Sequence, residues 1–411
     1  MTGALAESQG LLVRLLDPTN RADPYPLYGD IRDRGPMLLP EMNLAVFSRF
    51  DDCFDVLRHP AAASDRLKSA AAQRAIANGE EARPFGAPGF LFLDPPDHTR
   101  LRKLAQKAFA PKVIKALEPE IATLVDDLLD NASAKSVTGP MDVIADLAYP
   151  LPVAVICRLL GVPLEDEPEF SHASALLARS LDPFITVTGA VPDDFDERLQ
   201  AGLWLRQYLR DLIARRRNDP GEDLMSRLIA AEEDGDQLTE DEIVATCNLL
   251  LIAGHETTVN LIANAILAML RDPAQWRALA GDPTRAAVII EETLRFDPPV
   301  QLVSRIAADD MVIGEVTIPK GDTALLLLAA AQRDSQIFER PDVFDPDRGT
   351  IRHLTFGHGP HFCLGAPLAR LEAQLALTKI TARFPQARLD GEPIYKPNLT
   401  LRGLETLPVQ T

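Results

Sequence analysis

The sequence predicts a mainly α protein with small β-sheets, because helical periodicity covers most of the chain and short strand patterns occur mainly in its last third. Helical spacing of apolar residues covers about residues 51–59, 98–110, 112–133, 142–160, 197–218, 239–270, 284–296 and 366–383. Strand patterns cover residues 44–47, 302–306, 311–318 and 322–328. We expect a long loop over residues 69–88, and we expect Pro150 and Pro152 to kink or shift the start of one helix.

Composition and charge narrow the classes of function. The 411 residues include 42 Lys and Arg against 60 Asp and Glu, a net charge of −18. This argues against general nucleic-acid binding, which needs a basic surface. Residues 1–20 lack the pattern of a secretory signal, and the longest apolar run, Ala324–Ala331, is too short to span a bilayer. We therefore expect a soluble cytoplasmic protein without a membrane anchor.

One cysteine lies in an unusual context. The four cysteines are far apart in sequence: Cys53, Cys157, Cys247 and Cys363. Their spacing predicts neither a zinc site nor a disulfide framework. The last one lies in the glycine-rich segment 356–365, directly before a predicted helix whose N-terminus would stabilise a thiolate. The residues alone leave three interpretations open: a metal ligand, a buried structural cysteine, or a nucleophile assisted by His358 or His361.

The predicted helix 239–270 has a gap in one of its faces. It begins with Thr239 and Glu242, which fit a capping box. Further along, Ala253, Gly254 and Thr257 share a face without bulky side chains. Glycine inside a helix costs roughly 1 kcal/mol, so the gap predicts either close packing against another helix or space for a small ligand.

Two groups of charged residues are uninformative by themselves. Glu292 and Arg295 are spaced i, i+3, which is typical of an exposed ion pair. Asp97 is the expected N-cap of a helix that presents His98 and Arg102 on one face, typical of a solvated basic surface.

The cysteine segment resembles the haem-binding signature of the cytochrome P450 family. Phe356, Gly359, Cys363 and Gly365 occupy its four positions. The resemblance implies the cytochrome P450 fold, with haem b (iron protoporphyrin IX) between the 239–270 helix and this segment. It implies that Cys363 is the axial metal ligand, whose thiolate favours O–O cleavage.

Other segments extend the resemblance from about residue 20 to residue 405. Ala253–Thr258 resembles the oxygen-binding segment of the family, which implies that Thr257 hydrogen-bonds bound oxygen and that Glu256 relays protons. The 292–295 pair resembles the family's ExxR helix, and the arginine that joins it is Arg348; we interpret these charges as structural. We expect residues 1–411 to form a single domain, with a flexible extension at residues 1–20.

The resemblance also implies the contacts of the cofactor. Basic side chains suit carboxylates, and four are assigned to the haem propionates: His98, Arg102, Arg305 and His361. Three further residues are expected against the haem: Ala253, Phe356 and Gly365. The remaining histidines outside this segment, His59, His172, His255 and His353, receive no role, and the first three are expected to be surface or helix residues.

The expected activity is that of a monooxygenase that inserts one atom of O2 into a C–H bond. Electrons are expected from NAD(P)H through a reductase and a ferredoxin. We place the ferredoxin on the basic segment that contains Arg100, Arg102, Lys103, Lys107, Lys112 and Lys115; Arg102 is expected to point inward to the haem, which leaves the other residues for the surface. The apolar segments Phe85–Phe92 and Val300–Val303 are expected to line a pocket for a hydrophobic small molecule of lipid, terpenoid, steroid or macrolide class. Alternatives are a peroxide-driven haem enzyme, a haem-binding protein without turnover and a cysteine hydrolase.

Overall fold

The computed structural model describes residues 2–81, 83, 86–135, 139–233 and 238–411. In this part of the chain the helices are α1 (Thr2–Leu16), α2 (Tyr25–Arg34), α3 (Phe50–Arg58), α4 (Ala70–Ala77), α5 (Asp97–Gln106), α6 (Pro111–Lys135), α7 (Pro150–Leu160), α8 (Glu167–Arg179), α9 (Phe184–Thr188), α10 (Phe195–Asn218), α11 (Leu224–Glu233), α12 (Glu240–Arg271), α13 (Pro273–Gly281), α14 (Ala286–Phe296), α15 (Leu328–Ala331) and α16 (Ala366–Arg383). The expected mainly α class is confirmed.

The strands are short. They are β1 (Met37–Leu39), β2 (Leu44–Phe47), β3 (Ala62–Ala63), β4 (Met141–Asp142), β5 (Val303–Ala307), β6 (Met311–Ile313), β7 (Val316–Ile318), β8 (Thr323–Leu326), β9 (Arg388–Leu389), β10 (Ile394–Tyr395), β11 (Leu404–Thr406) and β12 (Pro408–Gln410). The largest sheet has the order β1-β2-β8-β5-β3. Its β2–β8 pair is parallel and its other pairs are antiparallel.

The long helix α12 lies at the centre of the main core. It packs against α7, α10, α14 and α16, and the predicted capping box at Thr239 and Glu242 is present at its start. Within the described residues, α12 alone is long and apolar enough to cross a membrane, but 72% of its most apolar window is buried inside the protein. It is therefore a core helix.

In the N-terminal segment, for which the sequence predicts a flexible extension at residues 1–20, residues Thr2–Leu16 form the helix α1. α1 buries Leu11, Leu12 and Leu15, which join a core cluster with Leu27 of α2 and Val187 of α9. These leucines are spaced so that they share one face of the helix, and burial of that face outweighs the conformational entropy of a chain end.

Three other local predictions need correction. The expected loop 69–88 contains α4, whose first turn is capped by the Ser69 hydroxyl. Asp97 is the first residue of α5 and not its cap, a position held by Pro96. The predicted helix 142–160 is divided into a π-helical turn over residues 144–148 and α7. Here the expected effect of Pro150 is confirmed, because a residue without an N–H is suited to a first helical turn.

Candidate active site

A tight loop precedes α16 and carries Cys363. Gly357 and Gly359 both have a φ of +70°, the left-handed region that favours glycine. The loop is closed by the Cys363 amide, which donates to the carbonyl of Phe356 at 2.8 Å. As expected, the cysteine lies directly before a helix N-terminus.

Opposing effects act on the pKa of the Cys363 thiol. Burial raises the pKa of the thiol, while backbone N–H donors from Gly365 and Ala366 and the nearby Arg102 guanidinium act to lower it. Gly365 has a φ of −82°, which any residue can adopt. Its contribution is therefore the N–H group directed at sulfur.

Basic side chains from three elements converge beside this loop. His98 on α5 and His361 in the loop have ring centroids 4.1 Å apart. Arg305 comes from β5 and is buried, and Arg102 on α5 donates to the carbonyl of Phe362. None of the four predicted propionate partners forms a salt bridge with a described residue. The structure therefore brings these residues together as a cluster of positive and protonatable groups.

This cluster has unsatisfied hydrogen-bonding capacity. Both ring nitrogens of His98 and Nδ1 of His361 are buried without a partner in the described protein, while Nε2 of His361 contacts the Ser64 hydroxyl at 3.1 Å. Burial lowers the pKa of Arg305 to about 10. Burial, together with Arg305 and His98, lowers the pKa of His361 to about 3. Such a buried, unpaired basic set fits a ligand that carries carboxylates.

On α12, two neighbouring residues have different surroundings. The Thr257 hydroxyl donates to the carbonyl of Ala253 at 2.7 Å. Glu256 is 4% exposed and its carboxylate lies 2.8 Å from Nζ of Lys396. Burial acts to raise the pKa of Glu256, but the Lys396 ammonium and His255 outweigh it and hold that pKa below its usual value. Glu256 is therefore an ionised carboxylate inside the protein.

Gly254 has the structural role that the sequence left open. A Cβ atom at this position would lie 2.8 Å from Cδ1 of Ile156 on α7. Gly254 therefore permits close packing of α12 on α7, and the small-ligand interpretation of the gap applies only to Ala253 and Thr257.

The ExxR pair is fully buried. Arg295 donates two hydrogen bonds to Glu292, at 2.7 and 2.8 Å, and Arg348 donates to both oxygens of the same carboxylate. Arg295 also donates to the backbone carbonyls of Gln332, Pro341 and Val343. This agrees with the structural interpretation, although burial was not predictable from an i, i+3 pair.

Comparisons with known proteins agree with this geometry. The sequence matches the family model of cytochrome P450 over residues 52–280 and 286–404. The chain belongs to the cytochrome P450 family. Cytochrome P450 107B1 of Saccharopolyspora erythraea is 41% identical over 89% of this chain and 88% of its own length. The vitamin D(3) 25-hydroxylase of Pseudonocardia autotrophica is 40% identical over 94% of this chain and 93% of its own length.

Solved structures of cytochromes P450 share the whole architecture. Ligand-free CYP164A2 of Mycobacterium smegmatis is 67% identical and superimposes with a TM-score of 0.93, covering 98% of this chain and 100% of that chain. The same protein has a structure with econazole bound. The protein is therefore a cytochrome P450 monooxygenase with haem b as its cofactor, and its unpaired basic cluster beside Cys363 fits the propionates of that group.

Some residues of the site were not predicted from the sequence. Lys396 lies 140 positions from Glu256 and no local pattern connects them. His255 was expected as a surface or helix residue, but it is a buried helix residue in edge contact with Tyr149 at 5.0 Å. Ser64 was not singled out, and a serine after a two-residue strand has no signal of its own.

Proposed function

We propose that this cytochrome P450 hydroxylates a hydrophobic small molecule, with two electrons delivered from NAD(P)H by a reductase and a ferredoxin. The observation that carries this proposal is the combination of a shielded Cys363 sulfur with a buried, ionised Glu256 beside the Thr257 hydroxyl. A haem-binding carrier would need the first feature only.

The residues that would hold the haem come from four elements. Cys363 would bind the haem iron through its thiolate, and Phe356, Gly365 and Ala253 would contact the haem. The propionates would pair with the basic cluster, which consists of His98, Arg102, Arg305 and His361. Bound haem supplies O2 activation and transfer of one oxygen atom to the substrate.

The chain itself would manage the protons that this chemistry consumes. Thr257 donates its own hydrogen to Ala253 O, so its oxygen lone pairs are available to accept a hydrogen bond. Glu256 is an adjacent carboxylate that can take up and release a proton at its oxygens, with Lys396 balancing its charge. We therefore assign Glu256 to proton supply and Thr257 to proton placement.

Relatives support a hydrophobic substrate without identifying it. CYP267B1, 37% identical, has a structure with myristic acid, and CYP109E1, 33% identical, has one with testosterone. In this chain the segment 86–92 packs against α12 about one turn before Ala253, because a Cβ on Gly89 would lie 2.7 Å from Cβ of Leu249. That position supports a pocket-lining role for the segment; Phe85 lies outside the described residues.

In the second segment expected to line the pocket, Val300–Val303, two residues make buried contacts with other parts of the protein. Leu302 is buried in the core cluster that contains the α1 leucines, and Gln301 is fully buried and bonded to the carbonyl of Pro298. Val300 and Val303 remain as pocket candidates. We further propose a cytoplasmic location and a single domain. The single domain is supported by the main sheet, which joins strands from residues 37–63 with strands from residues 303–326.

The proposal is tested by a panel of fatty acids, terpenoids, steroids and macrolides. At least one class should shift the ferric haem from low to high spin and be oxygenated when ferredoxin, reductase and NAD(P)H are supplied. Oxygenation that proceeds with peroxide but never with the redox chain would replace the proposal by a peroxide-driven function. Absence of any product with both systems, despite haem incorporation, would favour a binding protein.

A further inference from the structure

One segment near the C-terminus contacts both Glu256 and the region between α8 and α9. We name residues 394–406 the C-terminal hairpin; it consists of β10, β11 and the turn between them. Its base lies against α12 and its tip against Asp182, which follows α8. The hairpin thus joins the proposed proton donor to a segment on another side of the fold.

The base of the hairpin has a fixed position on α12. A Cβ on Gly403 would lie 1.8 Å from Oδ1 of Asn260, so the backbone approaches α12 as closely as a glycine allows. The amide of Lys396 donates to the carbonyl of Gly403 at 3.0 Å. This places the Lys396 side chain one turn of α12 away from Asn260, at Glu256.

The Lys396–Glu256 pair is isolated inside the protein. Within the described residues, Lys396 Nζ is the sole hydrogen-bond partner of the Glu256 carboxylate. The other titratable groups that act on this carboxylate are His255, buried with both ring nitrogens unpartnered, and the more distant Tyr149. Moving Lys396 would therefore leave a buried carboxylate without a cation, which is costly.

The tip of the hairpin is attached to the α8–α9 region through one carboxylate, and on its other side it pairs with residues 299–301, where the Gln301 amide donates to the carbonyl of Thr400 at 2.9 Å. Asp182 accepts hydrogen bonds from the amide of Thr400 at 2.7 Å and from the amide of Leu399 at 3.1 Å. The Thr400 hydroxyl donates to the carbonyl of Leu181 at 3.0 Å. Val187 of α9, which follows Asp182 closely, is packed on α1. The α8–α9 region and the hairpin tip therefore move together or separate at these bonds.

We propose that Lys396 and Asp182 are positioning residues that act as a pair, so that attachment of the hairpin tip to the α8–α9 region holds Lys396 on Glu256 and keeps this carboxylate ready to accept and pass on a proton. The inference rests on the proposed function, in which Glu256 supplies protons. Release of the tip would withdraw the ammonium and change the protonation of Glu256. The state of the α8–α9 region would in this way control proton supply.

Two variants of the holoenzyme test the connection. Asp182→Asn should speed hydrogen exchange at the amides of Leu399 and Thr400, which lose their ionised acceptor. Lys396→Met should speed exchange at the same two amides about fivefold or more if base and tip are coupled. Lys320→Met, on the exposed turn before β8, is the matched control and should leave both amides unchanged. Unchanged exchange in Lys396→Met would overturn the inference.

The second readout is the carboxyl infrared band of protonated Glu256 near pH 7. Wild type should lack it, while Lys396→Met and Asp182→Asn should both produce it, and it should disappear when Glu256→Gln is added. Lys396→Arg should restore the wild-type spectrum. A band in Lys396→Met without one in Asp182→Asn, or a Lys396→Arg variant that behaves like Lys396→Met, would overturn the coupling.

The proposed function fails separately from this inference. If Glu256→Gln converts reducing equivalents to product as well as wild type, Glu256 is not the proton donor. Exchange and infrared results then still decide whether the hairpin links Asp182 to Glu256.

Discussion

Cys363 combines a buried position with donors that favour its thiolate. The N–H groups of Gly365 and Ala366 and the Arg102 guanidinium lower its pKa while burial raises it. We predict that the ferrous carbonyl complex of wild type has the red-shifted Soret band of thiolate ligation, and that Cys363→His moves the band to the imidazole position. Absorption spectroscopy of both proteins is the measurement, with Cys157→Ser as a control that keeps the wild-type band. A wild type that stays colourless after haem supplementation would exclude the assignment.

Thr257 has a hydroxyl whose loss would change little except proton placement. Thr257→Ala should retain haem and substrate binding but divert reducing equivalents into peroxide, because within the described residues the Thr257 hydroxyl bonds only to the carbonyl of Ala253. Thr257→Ser, which keeps the hydroxyl, should recover most of the coupling. Product and peroxide formed per NAD(P)H consumed give the result. Equal coupling in wild type and Thr257→Ala would contradict the role.

His361 should change its protonation when haem binds. Burial, together with Arg305 and His98, lowers its pKa to about 3, which favours the neutral form near pH 6; a propionate favours the charged form and raises that pKa. When haem binds near pH 6, wild type should therefore take up more protons than His361→Asn, and the difference should approach one proton. The difference should vanish at higher pH. Calorimetry in buffers of different ionisation enthalpy measures this, with His59→Asn as control. Equal proton uptake by wild type and His361→Asn would remove His361 from the propionate site.

At the scale of elements, α14 is connected to the loop before Arg348 through one carboxylate. Glu292→Gln would leave Arg295 and Arg348 buried without an anion, and loss of one partner from such a site costs about 3–5 kcal/mol. The neighbouring Glu291 pairs with Arg370 and His353 at a half-exposed position, so Glu291→Gln should cost about 1 kcal/mol or less. Denaturant unfolding of both haem-bound variants compares the losses. Similar losses of unfolding free energy in Glu292→Gln and Glu291→Gln would show that burial does not determine the cost of removing the carboxylate.

Elements with strong periodicity were predictable, and elements fixed by distant contacts were not. α12 and α16 follow from amphipathic spacing and end signals in the sequence. α4 was missed because its stretch of alanines has no apolar stripe, and its Ser69 cap is recognised only once the helix is known. α8, α11 and α13 were not predicted either. Site residues contributed by short motifs, such as Cys363, were predictable, whereas Lys396 depends on the hairpin being folded onto α12.

At the scale of the whole molecule, the net charge does not describe the local charge of every part of the surface. The chain has a net charge of −18, yet Lys103, Lys107, Lys112 and Lys115 are exposed on α5, α6 and the turn between them. The basic surface is smaller than the sequence indicated, because Arg100 is bound to Glu242. Arg102, which was expected to point inward, is directed at the cysteine loop. Four exposed lysines thus form a local positive surface on an acidic protein.

We predict that an acidic ferredoxin binds at these lysines. Its reduction rate for the haem should fall with salt, since the Debye length shortens from about 10 Å at 0.1 M to about 3 Å at 1 M. Lys103→Glu with Lys107→Glu should slow reduction at low salt and flatten the salt dependence, measured by stopped flow. A control with the same net charge, Arg14→Glu with Lys320→Glu, should behave as wild type. An unaltered salt slope in the first variant would place docking elsewhere.

The order of the main sheet affects how the chain folds during synthesis. β2 pairs with β8 and β3 pairs with β5, so these early strands pair with strands that are synthesised roughly 240–280 residues later. At about 5–20 residues per second, a ribosome needs about 12–56 s to synthesise the intervening chain. During that interval the backbone edge of β2 and the apolar side chains of residues 44–47 have no strand to cover them. We therefore expect residues 44–47 of the nascent chain to be prone to aggregation until the last third of the chain has been synthesised.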